Sequence, residues 1–453
     1  MVSPARDAAW RALLRLRAGG RLDESLAGIP ELEGLGPRDR GLANELVTGT
    51  VKRRLSVDAV IGAFTKAPVE STEGDVLEAL RLAAFQMLFL DRVPAHAAVD
   101  DAVALLAGKG KRTQGFANAV LRKVAARGRA TYAELAAGDG QPAWTVRHSC
   151  PRWIVRLLRE DLGDVAAERF LVAANTAPER CLRVNTLRAG VADAIEALAG
   201  DGLATSAVPE LREALLYSGP ALERSAPFRE GLVTPQSRGS QLVGHVVAEG
   251  LAGGVEGRAP LVLDLCAAPG TKTSQLAASL PGARVTALDL DAARLAALRE
   301  NMTRLGVRGI EVVQGDVLSL PAAYHGAFDA VLLDAPCSGL GTLSSRPDLR
   351  WRRRAADVLR LADLQRRMIA QAARCVRPGG TLTYAVCTLS RVETAGVVGA
   401  LLDGGEWSPD DLAAEWGSMA HPDLGGALLI LPPAHGASGF FISRLRRATL
   451  PGE

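Results

Sequence analysis

Two cysteines in this 453-residue chain stand where apolar runs give way to polar residues: Cys337 in "DAPCSGLG" and Cys387 in "YAVCTLS". A thiolate placed at such an edge is a nucleophile, and a second thiol beside it can hold or move a proton. Asp334 ends the first of the two runs, three residues before Cys337. A carboxylate and two thiols fit methylation of a pyrimidine at carbon 5. That carbon is a poor nucleophile until a thiolate adds to carbon 6. A carboxyl group near ring nitrogen 3 absorbs developing charge, and a base then removes the carbon-5 proton so that the thiol can leave. The target base must be unstacked to reach such a pocket.

These residues share a site only if the elements bearing them are neighbours. From about residue 228 the chain alternates buried apolar runs with helical segments: "LVLDLCAAPG", "ARVTALDLD", "IEVVQGDV", "FDAVLLDAPC" and "GGTLTYAVC". Five such runs predict an open parallel sheet of Rossmann type, ordered 3-2-1-4-5. Strands four and five are then adjacent, and Asp334, Cys337 and Cys387 meet at one carboxyl edge. Pro336 restricts Ala335 to extended backbone and aims the loop away from the sheet. Ser390 to Glu393 has capping-box spacing, which predicts a helix start just after Cys387 and favours its thiolate.

The first crossover, Asp264 to Thr273, reads "DLCAAPGTKT" and is neither G-x-G-x-x-G nor a P-loop. With a single glycine, Gly270, it suits a ligand without a pyrophosphate. The helix that follows can receive a carboxylate at its N-terminus. Asp289 ends strand two, placed for ribose hydroxyls, and Asp316 ends strand three, within reach of an adenine amino group. The three features together describe S-adenosylmethionine.

Upstream, residues 1–135 carry helical periodicity and almost no strand signal, so an all-α bundle is expected. "AAGDGQPAW" at 136–144 reads as a linker, and residues 145–227 read as a small α+β module. The α/β domain occupies 228–447. The six cysteines (Cys150, Cys181, Cys266, Cys337, Cys375, Cys387) form no C-x-x-C pair, so neither a metal site nor a disulfide framework is expected. No apolar stretch is long enough to span a membrane, and the N-terminus lacks a signal-peptide core; a cytoplasmic protein is expected. A net charge of +3 is weakly basic, but "VKRR", "KGKR", "RWRRR" and "RLRR" suggest a polyanionic partner.

At "DLCAAPGTKT", "VVQGD", "DAPCSGLGTL", "RPDLRW", "YAVCTLS" and "HGASGFF" the chain resembles the Sun/NOL1/NOP2 family of RNA cytosine-5 methyltransferases. "LRLAAFQMLFLDRVPAHAAVDDAV" and "GFANAVLRKV" are similar to NusB-like RNA-binding domains, and "LRVNTLR" resembles the small domain that precedes the family's catalytic domain. The resemblance covers essentially the whole chain. It implies a NusB-like bundle, a small α+β module and a class I methyltransferase domain, acting as a monomer on small-subunit ribosomal RNA. It also implies Cys387 as nucleophile, with Cys337 assisting proton removal and release. Asp334 would contact the base or the cofactor. Cys266, Ala267, Ala268, Pro269, Gly270, Thr271 and Lys272, with Asp289 and Asp316, would hold S-adenosylmethionine.

Thr271 stands where the family usually has a second glycine, and Thr388 replaces a serine. Thr394 and Ala395 stand where an asparagine is common, and Ser438 replaces an aspartate. DNA cytosine-5 methyltransferases attack from a Pro-Cys pair that Pro336-Cys337 would fit, but they lack a paired thiol on strand five; Cys387 therefore favours RNA. A non-catalytic RNA-binding assembly factor is the alternative outside enzymology, and Thr271 is the feature that favours it.

Overall fold

A computed structural model describes residues 2–22, 32, 34–255, 257–435 and 438–449. It divides into two compact units: one of Met1–Thr176 with Arg346–Arg353, the other of Ala177–Ser345 with Arg354–Glu453.

The first unit is helical. Every residue of its central helix, Gly74–Phe89, is buried from Val76 to Leu88. A helix buried on all sides must neutralise its own polar groups. Arg81 accordingly bonds Glu78 at 2.6 Å and Asp58 at 2.7 Å. Helix Pro37–Lys52 crosses it at Gly49, where a Cβ would lie 2.1 Å from the Phe85 ring. Only glycine permits that approach.

The segment expected as a linker is partly helical. Gln141–His148 forms a helix with Pro142 in its first turn, where the missing N–H costs nothing. Its Trp144 is buried under the Arg159 guanidinium, 4.5 Å from the ring centroid. The Gly-Asp-Gly signal marks only the turn before it. Two further helices, Arg152–Leu162 and Asp164–Ala173, complete this unit.

Arg350 ties the unit together. It donates to the carbonyls of Lys52, His148, Ser149 and Ala174 at 2.8–3.3 Å and to Asn175 Oδ1 at 2.9 Å. Helices Pro37–Lys52, Gln141–His148 and Asp164–Ala173 end at those carbonyls. One buried guanidinium thus caps three helix C-termini, where a cation also meets the negative ends of the helix dipoles.

The basic clusters read from the sequence are largely structural. In "VKRR", Lys52 donates to the Thr176 carbonyl, Arg53 lies over Phe89 and Arg54 over Trp351. Lys109 of "KGKR" pairs with Glu73 and Asp75. Of "RWRRR", Arg350 is buried and Arg352 pairs with Asp348. Of "RLRR", Arg444 and Arg446 bind Asp410, and Arg447 binds Glu406. Counting charges in sequence could not separate these ion pairs from free cations.

Burial lowers the imidazole of His148 to about 4, with nearby Glu168 opposing and Arg147, Arg53 and Arg350 assisting. The unfolded chain titrates near 6.5, so stability is fully present above that pH and is lost as pH falls toward 4. We expect roughly 3 kcal/mol to be lost across this window. Chemical denaturation of His148→Gln at pH 7 and pH 5 checks it: the variant's stability should fall less over that interval than the wild type's.

The second unit holds two sheets. In the small antiparallel one, β1 (Cys181–Val184), β2 (Ala204–Val208), β3 (Leu211–Ser218) and β4 (Val233–Pro235) run in the order β2-β3-β1-β4. β4 was not expected. It is three residues long, too short for a periodic signal, and it carries the small sheet past residue 227.

The large sheet contains β5 (Leu261–Leu265), β6 (Arg284–Asp289), β7 (Ile310–Gln314), β8 (Phe328–Asp334) and β9 (Val376–Val386), all parallel, in the order β7-β6-β5-β8-β9. That is the predicted 3-2-1-4-5 arrangement. The sheet is nevertheless mixed. β10 (Trp407–Pro409), β11 (Leu428–Ile430) and β12 (Phe440–Arg447) extend it, and β12 runs antiparallel to β9. Its alternating "FFISRLRR" reads as a basic cluster because Arg444, Arg446 and Arg447 mask the apolar Phe441 and Leu445.

Arg183 on β1 links the small sheet to the first helix after β5. Buried at 2% exposure, it donates to Gln236 Oε1 and to Ser274 Oγ, both at 2.8 Å. Ser274 lies on helix Thr271–Ser279, which follows the first crossover. No helix among the described residues is long and apolar enough to cross a membrane.

Candidate active site

The parallel register aligns Asp334 at the end of β8 with Ala385 near the end of β9. The loops that leave these strands bring Cys337 and Cys387 together, with their sulfurs 3.3 Å apart. Both cysteines are half-buried, and the residues that follow them, Ser338 and Thr388, are fully buried. The neighbouring Cys387 sulfur, then burial, push the Cys337 thiol well above its ordinary value.

The loops are locked by backbone contact. Gly341 N–H donates to the Cys387 carbonyl at 3.0 Å, and Gly439 N–H to the Gly341 carbonyl at 2.7 Å. A Cβ on Gly341 would lie 2.2 Å from the Gly439 oxygen, so a side chain there would force the thiol loop apart.

Glu393 was expected to close a capping box on Ser390, and it does not. The next helix begins later, at Ala395–Leu402, and the Glu393 carboxylate turns inward. It accepts from Ser338 N–H at 2.8 Å, Gln365 Nε2 at 3.1 Å and Thr388 Oγ1 at 3.2 Å. Ser338 follows Cys337 and Thr388 follows Cys387, so one carboxylate grips both thiol loops. Burial raises its protonation range, with those hydrogen bonds opposing. Local spacing suggested a cap; long-range donors won the carboxylate because they are buried and have no water to turn to. Thr388 also shares a 2.8 Å hydrogen bond with Ser338 Oγ, a hydroxyl role that serine or threonine fills equally.

We expect Glu393→Ala to lower kcat by about 100-fold, since displaced reacting groups carry penalties of that order. Glu393→Gln keeps an acceptor for Ser338 and should retain most activity. Steady-state kinetics on both variants, with circular dichroism to confirm folding, checks this.

At the first crossover, Cys266 leaves β5 at φ +62°, a left-handed conformation rarely taken by non-glycine residues and one that clusters at functional turns. Ala267 N–H donates to the Leu288 carbonyl at 3.0 Å and Ala268 N–H to Asp289 Oδ2 at 3.1 Å. Ala267 and Ala268 are buried, and Pro269 is exposed. Gly270 has φ +93°, and a Cβ there would meet Leu298 and Met302 at 2.9 Å. The glycine therefore serves the turn and its packing on helix Ala292–Leu305. Thr271 opens helix Thr271–Ser279. That is ordinary helical backbone, so a threonine in place of glycine carries no conformational penalty.

Lys272 bonds Asp334 Oδ2 at 2.7 Å and joins the crossover loop to the thiol edge. Burial works to lower its ammonium group, but Asp334 outweighs that and the net shift is upward. Behind the loop, Thr273 Oγ1 donates to Asp264 Oδ2 at 2.6 Å, and burial raises the Asp264 carboxyl to about 7. Asp289 is 3% exposed at the end of β6 and accepts from Asp291 N–H. Asp316 is exposed and caps its own turn through Leu318 N–H at 2.9 Å. It lies at the same sheet edge without joining the network that links the other predicted residues. Gln365 and Tyr384, whose hydroxyl donates to the Glu393 carbonyl at 2.8 Å, were not foreseen. Their sequence neighbourhoods are plain helix and strand.

Three family models match along the chain. Residues 3–126 match the NusB family, 150–221 the RsmF/B-like ferredoxin-like domain, and 256–446 the 16S rRNA methyltransferase RsmB/F family. Ribosomal RNA small subunit methyltransferase B of Sodalis glossinidius is 32% identical over 93% of each chain. This chain belongs to the RsmB/F family. Probable ribosomal RNA small subunit methyltransferase B of Bacillus subtilis is 29% identical over 98% of each chain. A solved methyltransferase homologue from Pyrococcus horikoshii is 27% identical, with a TM-score of 0.58, covering 69% of this RsmB/F-family chain and all of its own. The three parts are thus a NusB-like helical domain, a ferredoxin-like module and a Rossmann-like methyltransferase domain.

Proposed function

We propose that this chain transfers a methyl group to carbon 5 of a cytosine in small-subunit ribosomal RNA, through a covalent bond between Cys387 and carbon 6 of the base. The observation that carries the reading is the 3.3 Å approach of the Cys337 and Cys387 sulfurs beside the Lys272–Asp334 pair. Membership in a family described as 16S rRNA methyltransferases supports the substrate class.

The residues at the first crossover fit S-adenosylmethionine, which supplies the methyl group when bound. The first N–H groups of helix Thr271–Ser279 have no partner within their helix and suit a carboxylate. Asp289 suits ribose hydroxyls, and Cys266 to Lys272 shape the loop between them.

Cys387 attacks carbon 6 as a thiolate, and the electron pair moves toward carbon 5. Asp334, held by Lys272, is 30% exposed, which leaves its carboxylate open to a bond from the base. Once Cys387 is a thioether, the sulfur charge that raises Cys337 is gone. Cys337 then gives its proton up to solvent; after methyl transfer its thiolate takes the carbon-5 proton, the carbon 5–carbon 6 double bond re-forms, and Cys387 leaves as a thiolate. The proposed setting is the reducing cytoplasm, with the chain acting as a monomer.

Methyl-labelled S-adenosylmethionine, incubated with the protein and a small-subunit RNA transcript, should leave label in 5-methylcytidine after nuclease digestion. Label in another nucleoside, or none in RNA, overturns the assignment.

A further inference from the structure

We propose that Cys337 and Cys387 form an oxidation site: a hydroperoxide joins their sulfurs in a disulfide that shuts the edge down, and a dithiol reductant reopens it. The bond rests on geometry alone; its effect on activity rests on the proposed reaction.

The two sulfurs lie 3.3 Å apart. That is a near-attack distance for reacting atoms, and a formed bond needs a further approach of only about 1.2 Å. One residue further along each loop, Ser338 Oγ and Thr388 Oγ1 are 2.8 Å apart, so the loops already run side by side. Glu393 holds both, through Ser338 N–H at 2.8 Å and Thr388 Oγ1 at 3.2 Å. Rotation of the two cysteine side chains, with the strands in place, closes the gap. Both cysteines are half-buried, within reach of a molecule as small as a hydroperoxide, whereas Cys150, Cys181 and Cys375 are buried. Burial pushes those three thiols up, to about 11, about 12 and about 11, and leaves them unreactive at neutral pH.

Cys387, as a thiolate, attacks one peroxide oxygen. The oxygen–oxygen bond breaks, and the leaving hydroxide or alkoxide takes up the proton that Cys387 had released. The sulfur is now a sulfenic acid. Cys337 attacks that sulfur; the sulfur–oxygen bond breaks, and the hydroxyl leaves as water with the Cys337 proton. The two thiols together lose two electrons and the hydroperoxide gains them. A second thiol at this distance diverts the sulfenic acid from sulfinic acid, which dithiols do not reduce. In a reducing compartment a disulfide of this kind is transient and senses oxidant. One bond removes the nucleophile and the proton acceptor together.

The test treats the full-length wild type, free of RNA, with one equivalent of hydrogen peroxide. One portion is denatured, alkylated and digested for mass spectrometry, and another is assayed for methyl transfer before and after dithiothreitol. Two of the six thiols should escape alkylation, and the Cys337 and Cys387 peptides should be recovered linked to each other. Methyl transfer should fall about 100-fold, down to the fraction left reduced, and return with dithiothreitol. In Cys337→Ala, excess peroxide should instead add about 32 Da to the Cys387 peptide as sulfinic acid, which dithiothreitol does not remove. Six alkylated thiols in the treated wild type, a link through Cys266, or sulfinic acid on Cys387 with Cys337 free would overturn the proposal. Linked protein with undiminished methyl transfer would overturn the proposed reaction and leave the oxidation site standing.

Discussion

Cys387→Ala should abolish methyl transfer, a loss on the order of 10⁴-fold or more, as removal of a covalent nucleophile entails. It should also form no covalent complex with RNA. Cys337→Ala should behave differently. Its nucleophile is intact, so carbon 6 is attacked and the methyl group transferred, but the carbon-5 proton stays and the adduct cannot collapse. A band of slowed protein resistant to denaturant should then appear on incubation with RNA and S-adenosylmethionine. The contrast follows from the two proposed roles: Cys387 bonds to carbon 6, and Cys337, with its sulfur 3.3 Å away, removes the carbon-5 proton. Denaturing electrophoresis with labelled RNA reads both variants. An adduct with Cys387→Ala and none with Cys337→Ala would exchange the roles.

The second large effect is on stability. Arg350→Met should destabilise the helical unit by about 3 kcal/mol or more, because removing one partner from a buried charged network strands the rest. Four carbonyls and the Asn175 side chain lose their donor, and three helix ends lose their cap. Methionine fills the volume but donates nothing. The melting temperature of the helical transition should drop by about 10 °C. Arg112→Ala, on an exposed helix face, should change stability by no more than about 0.5 kcal/mol. Differential scanning calorimetry separates the two. A shift of under about 2 °C for Arg350→Met would show that water replaces the guanidinium at those carbonyls.

What the sequence made legible was the part built from strong periodic signals. Five apolar runs ending in Asp, Gly or Cys motifs predicted β5 to β9 in their observed order, and that order is what places Cys337 beside Cys387. β4, β10 and β11 were not legible, since three residues cannot show a period. β12 was hidden by its arginines, whose partners Asp410 and Glu406 come from elsewhere in the chain. Glu393 shows the same limit at the site itself. Its spacing from Ser390 satisfied a local rule, while donors on Ser338 and Gln365, 55 and 28 residues away, decided where it pointed. Arg350 is the extreme case. Five arginines lie in "RPDLRWRRR", and only packing reveals which one is buried.

The proposed reaction turns on which sulfur bonds to the base. RNA carrying 5-fluorocytosine tests this with the unaltered protein, because fluorine at carbon 5 cannot leave as a proton and the adduct persists. Proteolysis of that adduct, followed by mass spectrometry, identifies the cysteine that carries the nucleotide. The nucleotide should be found on the peptide containing Cys387. Attachment at Cys337 would contradict it.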